Sequence, residues 1–204
     1  MKFYTFCQKT IAAFLKFVFR VSVNGLENVP QGSILVCSNH MSMWDPVFLG
    51  VCIKTRQVRF MAKQELFKIP VVKTLIKALG AFPVSRGGAD IRAIKNTIAL
   101  LREGESVGIF PQGTRNPGVM PRGTKTRSGA AMCAFHAKCD VLPVAVVNKR
   151  IKMTPFCKNH VVIGKPIKFE ELGFTDGDKE QFDQATNIIF DRICDLFEEQ
   201  YEKL

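Results

Sequence analysis

A chain of 204 residues, 47% of them hydrophobic, has material for one full core, so a single domain is expected. No apolar run reaches the roughly eighteen residues that a spanning helix needs, which excludes a conventional transmembrane segment. The formal net charge of +11 demands an anionic partner, and nucleic acid, an acidic carrier protein and anionic lipid are the classes that supply one.

The first predicted element is a helix over residues 2–20. Wound at about 100° per residue, Lys2, Thr5, Lys9, Lys16 and Arg20 fall on one narrow stripe, and Phe3, Phe6, Ile11, Phe14, Phe17 and Val18 fill the opposite side. Such a helix suits the membrane interface, its rings among acyl chains and its lysines among anionic headgroups; the alternative is a helix docked on its own domain. Lys16 interrupts the apolar run and no small-residue cleavage site follows, so the segment does not read as a signal peptide. Residues 1–20 are therefore set apart as an amphipathic membrane-interface helix, and 21–204 as the main domain.

Arg20-Val21-Ser22-Val23 alternates as a short strand and meets the turn signal Asn24-Gly25. Residues 33–37 form a partly β-branched run of strand length, closed by Ser38-Asn39. Asp45-Pro46 reads as a helix start, Asp as N-cap and Pro at the first helical position, with the helix running to about Lys54. Residues 57–62 are the next strand, and Pro70 introduces an apolar arc through Leu79 that Gly80 ends. A short strand over 81–84 and the loop Ser85-Arg86-Gly87-Gly88 precede a helix marked by Ile91, Ile94, Ile98 and Leu101 and stopped by Gly104. Residues 107–110 read as a buried strand, 128–139 as a helix, 141–147 as another buried strand and 160–163 as an outer one. Asp178 with Gln181 resembles a capping box for a C-terminal helix striped by Phe182, Ala185, Ile189, Ile193, Leu196 and Phe197. Strands alternating with helices indicate one α/β domain with a mainly parallel or mixed central sheet flanked by helices.

Seven cysteines, an odd number set in apolar contexts such as Val51-Cys52-Ile53, do not make a disulfide framework and fit a reducing cytoplasm. Cys37-x-x-His40, His136-x-x-Cys139 and Cys157-x-x-His160 have the spacing of zinc half-sites. Each lacks the close second pair of ligands that zinc modules show, so no metal is expected. Without basic and aromatic residues interleaved on a strand, or a helix-turn-helix signal, no nucleic-acid partner is expected either.

Three loops follow predicted strand ends, which is where open α/β sheets place ligands: residues 38–46, 85–88 and 111–118. In the first, His40 and Asp45 stand five apart. On one helix they would point about 140° apart, but across a strand-to-helix loop they can meet. A carboxylate on one imidazole nitrogen fixes the tautomer and frees the other nitrogen to take a proton from a hydroxyl. The plainer alternative is that Asp45 caps its helix and His40 satisfies the loop. In the other two loops, Arg86 beside two glycines and Gly113-Thr114-Arg115 combine close backbone approach with a guanidinium, which suits phosphate oxygens. Backbone amides at residues 39–41, or at the Asp45 helix start, are candidate oxyanion donors.

Taken together, Asn39-His40-x-x-x-x-Asp45, Gly80-Ala81-Phe82-Pro83-Val84-Ser85-Arg86, Phe110-Pro111-Gln112-Gly113-Thr114-Arg115 and Val141-Leu142-Pro143-Val144 resemble the four ordered blocks of the glycerolipid acyltransferases. The likeness is strongest to the bacterial lysophosphatidic acid acyltransferases. It implies transfer of a fatty acyl group from an acyl thioester, on acyl carrier protein or coenzyme A, to the sn-2 hydroxyl of lysophosphatidic acid. The product would be phosphatidic acid, for phospholipid biosynthesis at the cytoplasmic face of the cell membrane by a monotopic or peripheral enzyme without a cofactor.

The resemblance makes His40 the general base and Asp45 its orienting partner. It makes Arg86, Gly113, Thr114 and Arg115 the phosphate-binding residues, with Lys63 and Lys125 as extra cations, and Gln112 and Pro143 structural or substrate-channel positions. The family commonly carries Asp where this chain has Ser85 and Glu where it has Gln112; both changes remove negative charge from loops assigned to a phosphate. Acylation of glycerol 3-phosphate or another lysophospholipid, or a non-catalytic lipid-binding role on the same fold, are the alternatives.

Overall fold

The computed structural model describes residues 13, 17–84 and 91–204. In chain order these residues form β1 (Val21–Asn24), β2 (Leu35–Ser38), α1 (Asp45–Cys52), β3 (Val58–Lys63), α2 (Pro70–Ala78), β4 (Phe82–Val84), α3 (Ile91–Arg102), β5 (Ser106–Ile109), α4 (Gly129–Ala137), β6 (Val141–Val147), β7 (Asn159–Ile163) and α5 (Lys179–Tyr201). The strands make one sheet in the order β1-β7-β6-β2-β5-β3-β4. From β6 to β4 neighbouring strands are parallel, and Leu35 of β2 stands opposite both Val107 and Val141. β7 runs antiparallel to β6 and carries β1 parallel to itself, so the sheet is mixed. The strand expected to be outermost near residue 160 is therefore internal: β1 covers its free edge, with Val21 opposite Asn159 and Val23 opposite Val161.

Strand alternation distributes the core to both faces. Ile34 and Val36 meet Phe48, Leu49 and Val51 of α1 on one side. On the other, Leu35 and Cys37 join Ala130 and Cys133 of α4 and Ile189 and Ile193 of α5. Because helices cover both faces, β2, β5 and β6 are buried along their whole lengths, and their sequences read as apolar runs. Gly80 and Gly104, at φ +78° and +88°, terminate α2 and α3 as their positions predict. At the start of α5, Asp178 accepts the Gln181 N–H at 2.8 Å, but Gln181 Oε1 turns to the N–H groups of Thr175 and Gly177, so only half of the capping box forms.

Of the expected N-terminal helix, residues 13 and 17–19 are described and are helical. Phe19 is buried, its ring 5.5 Å from both Trp44 and Phe48, whereas Phe17 is 79% exposed. Most of that helix, and the loop containing Arg86, lie outside the described residues. No helix among the described residues is long and apolar enough to cross a membrane.

Gly108 of β5 lies under the Phe60 ring, which would collide with any Cβ placed there. Gly108→Ala is therefore expected to cost about 1–3 kcal/mol by overpacking. Urea unfolding measures this, and an unchanged midpoint would show that the ring moves aside freely.

Candidate active site

The site begins where β2 stops short of its neighbour. β2 ends at Ser38, opposite Val144, while β6 continues to Val147. The Asn39 side chain fills the missing rungs: Nδ2 donates to the Val146 carbonyl at 3.0 Å and Oδ1 accepts the Val146 N–H at 2.8 Å. Buried and paired twice, this amide imitates a strand while the main chain turns out of the sheet, delivering His40 into the loop.

Asp45 is fully buried in the first turn of α1, where the positive end of the helix favours a carboxylate. Its Oδ2 accepts three hydrogen bonds, from His40 Nδ1 at 2.8 Å and from the N–H groups of Met41 at 2.8 Å and Ser42 at 2.7 Å. Oδ1 is buried with no hydrogen-bond partner among the described residues. The carboxylate thus turns back along the chain, and the N-cap position of the helix is taken by Trp44, whose side chain does not cap it. An ionised carboxylate only accepts, so Nδ1 carries the hydrogen and Nε2 keeps its lone pair. The imidazole stacks on Phe110, centroids 4.0 Å apart and planes 15° apart, which fixes the ring from its flat side.

A second set of bonds holds the same loop from behind. The His40 N–H donates to Gln112 Oε1, Gln112 Nε2 donates to Thr124 Oγ1 at 2.6 Å, and the Thr124 hydroxyl donates to the Pro121 carbonyl at 2.6 Å. The Asn116 N–H donates to the His40 carbonyl at 2.8 Å. From the same β5-to-α4 connection, Arg122 reaches Asp191, Asp195 and Glu198 on α5 at 2.7–3.1 Å. These contacts narrow one expectation, that of the backbone oxyanion donors. The amides of His40, Met41 and Ser42 are committed to Gln112 and Asp45, while those of Trp44 and Asp45 bond to Ser42, so none of them is free to receive an oxyanion.

His40 lines a cleft of about 270 Å³ whose walls are mostly apolar, Met43, Val47, Phe60, Leu66 and Ile76 among them. Among the described residues, the charged side chains in the lining are Lys63 and Arg115. Among the described residues no activated thiol stands beside it. Burial, with Cys133 and Cys139 nearby, raises the Cys37 thiol well above its ordinary range, and burial pushes Cys133 and Cys139 up to about 12. The profile of the Acyltransferase family matches residues 20–147, well over half of the chain.

The chain belongs to the Acyltransferase family. A relative named 1-acyl-sn-glycerol-3-phosphate acyltransferase, from Bacillus subtilis (strain 168), is 32% identical over 197 residues, 95% of this chain and 96% of that protein. The protein of the same name from Streptococcus pneumoniae (strain ATCC BAA-255 / R6) is 29% identical over 176 residues, 85% of this chain and 62% of its own length. The crystal structure of the 1-acyl-sn-glycerophosphate (LPA) acyltransferase from Thermotoga maritima superposes with a TM-score of 0.69 at 25% identity, covering 96% of this chain and 79% of that one.

Within this acyltransferase the remaining sequence-predicted residues are spread unevenly. Arg115 is exposed at the cleft, and Lys63, also in its lining, pairs with Glu65 at 3.3 Å. Thr114 is exposed, and its carbonyl accepts the Asn116 side chain at 3.1 Å. Gly113 adopts φ +65°, and a Cβ there would sit 3.1 Å from Arg127 Cδ, so the Arg127 side chain lies over the loop. Lys125 is exposed. Pro143 lies inside β6 opposite Cys37, accepts the Gly164 N–H at 2.9 Å and does not line the cleft; it supports the sheet.

Thr124 and Arg127 meet the site without having been singled out, and the side chains of Asn39 and Phe110, quoted within the motif blocks, had been given no role of their own. For Asn39 a signal existed, an amide directly after an apolar strand, but Thr124 meets Gln112 across twelve residues with no local pattern.

Proposed function

We propose that this acyltransferase moves a fatty acyl group from an acyl thioester, on acyl carrier protein or coenzyme A, to the sn-2 hydroxyl of lysophosphatidic acid, making phosphatidic acid in phospholipid biosynthesis. The observation that carries the reading is the hydrogen-bonded pair of His40 and Asp45 at an apolar cleft whose charged lining is Lys63 and Arg115. The names of the Bacillus and Streptococcus relatives support the choice of acceptor.

In this mechanism His40 Nε2 takes the proton from the acceptor hydroxyl as its oxygen attacks the thioester carbonyl carbon. Asp45, held rigidly by two backbone amides, stabilises the imidazolium that forms. The tetrahedral intermediate collapses, the carbon–sulfur bond breaks, and the departing sulfur takes the proton from Nε2 as free thiol. Attack is direct, in keeping with the buried, protonated cysteines. Arg86, Gly113, Thr114 and Arg115 hold the acceptor phosphate, with Lys63 adding positive charge in the cleft and Arg127 over the Gly113 loop. The apolar walls receive acyl chain. Residues 1–20 hold the enzyme to the cytoplasmic face of the cell membrane as a monotopic or peripheral protein, and the +11 charge favours both anionic lipid and an acidic donor.

The test is purified protein supplied with acyl carrier protein or coenzyme A thioesters against lysophosphatidate or glycerol 3-phosphate, with products resolved by mass spectrometry. Phosphatidate formed from lysophosphatidate is the expected result. Acylation of glycerol 3-phosphate alone would move the acceptor assignment, and no ester from any pair would remove the enzymatic reading.

Gln112 gives a finer check. Gln112→Leu leaves the His40 N–H unpaired and lets the catalytic loop drift, with an expected loss in kcat of about 10- to 100-fold. Gln112→Glu should keep most of the activity. A carboxylate still accepts the His40 N–H, and the Thr124 hydroxyl can rotate from Pro121 to donate to it. Equal losses in both variants would refute this account of the position.

A further inference from the structure

We propose that the β6–β7 loop, residues 148–158, is a membrane-contact element that seats the catalytic end of the sheet on an anionic bilayer. The inference rests on the membrane location proposed above but assigns the contact to a segment other than residues 1–20. The loop carries Lys149, Arg150, Lys152 and Lys158 and no acidic residue. Arg150, Lys152 and Lys158 are exposed and make no ion pair among the described residues, while Lys149 Nζ reaches the Leu204 carbonyl oxygen at 3.4 Å.

Among these cations Phe156 is 68% exposed, with its backbone at φ +62°, a region that bulky side chains rarely adopt. The loop is fastened in that shape. Asn148 Nδ2 closes its neck by donating to the Lys158 carbonyl at 2.9 Å, and the Phe156 N–H donates to the Val18 carbonyl at 2.6 Å. That second bond places Phe156 beside the end of the N-terminal helix, where Phe17 is 79% exposed. Strained backbone that holds a phenyl ring in solvent is explained when the ring has somewhere apolar to go.

The loop is also coupled to the site. Ile151, itself at φ +50°, accepts the Gly118 N–H at 2.7 Å, and Asn116, two residues earlier, donates to the His40 carbonyl. Exposed phenyl rings ringed by unpaired cations match an interface of acyl chains and anionic headgroups. An acidic protein would satisfy the cations but leave the rings unexplained.

The experiment uses full-length Phe156→Trp protein with vesicles of brominated phosphatidylcholine and phosphatidylglycerol, and wild type, with Trp44 as its one tryptophan, as the background. The added emission should shift to the blue and be quenched by bromine. In a second variant, Arg150→Gln with Lys152→Gln, partitioning onto the same vesicles should fall about 25-fold, roughly fivefold for each cation. That variant should retain turnover of a short-chain, water-soluble lysophosphatidate and lose it on acceptor embedded in the bilayer. Added emission that stays unquenched while the Phe156→Trp protein is vesicle-bound would overturn the proposal. So would a double variant that partitions normally but no longer binds acyl carrier protein, which would assign the loop to the donor. Failure of the acyltransferase reading would show instead as no turnover on either acceptor, and the quenching would still decide the loop.

Discussion

His40→Ala is expected to lower turnover of acyl thioester with lysophosphatidate by about 10²- to 10⁴-fold, the range that a positioned acid–base group supplies. Among the described residues of the cleft lining, the other side chains with a basic nitrogen are Lys63 and Arg115, which serve the acceptor phosphate in this reading and not proton transfer. The loop should survive the change. Asp45 Oδ2 keeps the Met41 and Ser42 N–H groups, and Gln112 bonds to the His40 backbone, not its ring. The variant loses one side-chain hydrogen bond and the stack on Phe110, on the order of 1–2 kcal/mol together. Saturating kinetics and a urea titration on the same preparation separate the two effects. Turnover near that of wild type would remove His40 as the base, whatever the stability shows.

The chain announces most of its fold because its local signals agree with its tertiary ones. Residues 141–147 form an uninterrupted apolar run because β6 is buried on both faces, and Gly80 and Gly104 stop their helices where nothing else in the sequence would. Two of the three candidate loops, residues 38–46 and 111–118, were legible for the same reason, since each lies just beyond a buried strand. What escaped were contacts between distant segments. β1 closes on β7 through pairs such as Val21 with Asn159, and nothing within four residues of either encodes the match. Asp45-Pro46 carries a true helix-start signal, yet the carboxylate serves the loop before it, because three donors converge behind the helix instead of within it.

Residue 112 shows how the same limit works on chemistry. The amide at this position is intelligible only once Thr124 is seen to commit its hydrogen to Pro121, which leaves its oxygen lone pairs to be met by a donor. Residues 148–158 have neither periodicity nor motif, so their charge and the outward phenyl become readable only when the backbone is known to be fastened at both ends.

Asp45→Asn separates the two duties of this carboxylate. The amide oxygen of the new side chain has to take the place of Oδ2, because an amino group there would face three donors. Its Nδ2 then falls at the position of Oδ1, which has no partner among the described residues, and an unpaired buried donor costs about 1–3 kcal/mol. The loop stays closed, but the charge that stabilises the imidazolium is gone. Turnover is expected to fall by up to about 10⁴-fold, the size of effect seen when a triad aspartate becomes asparagine. Asp45→Ala removes the shared acceptor altogether, strands three donors and should cost about 3 kcal/mol or more of stability besides the activity. Kinetics and urea midpoints for the pair give the decision. If the Asp45→Asn protein retains turnover, the carboxylate only folds the loop. If turnover collapses while the midpoint moves by no more than the unpaired donor's cost of about 1–3 kcal/mol, the negative charge acts on His40.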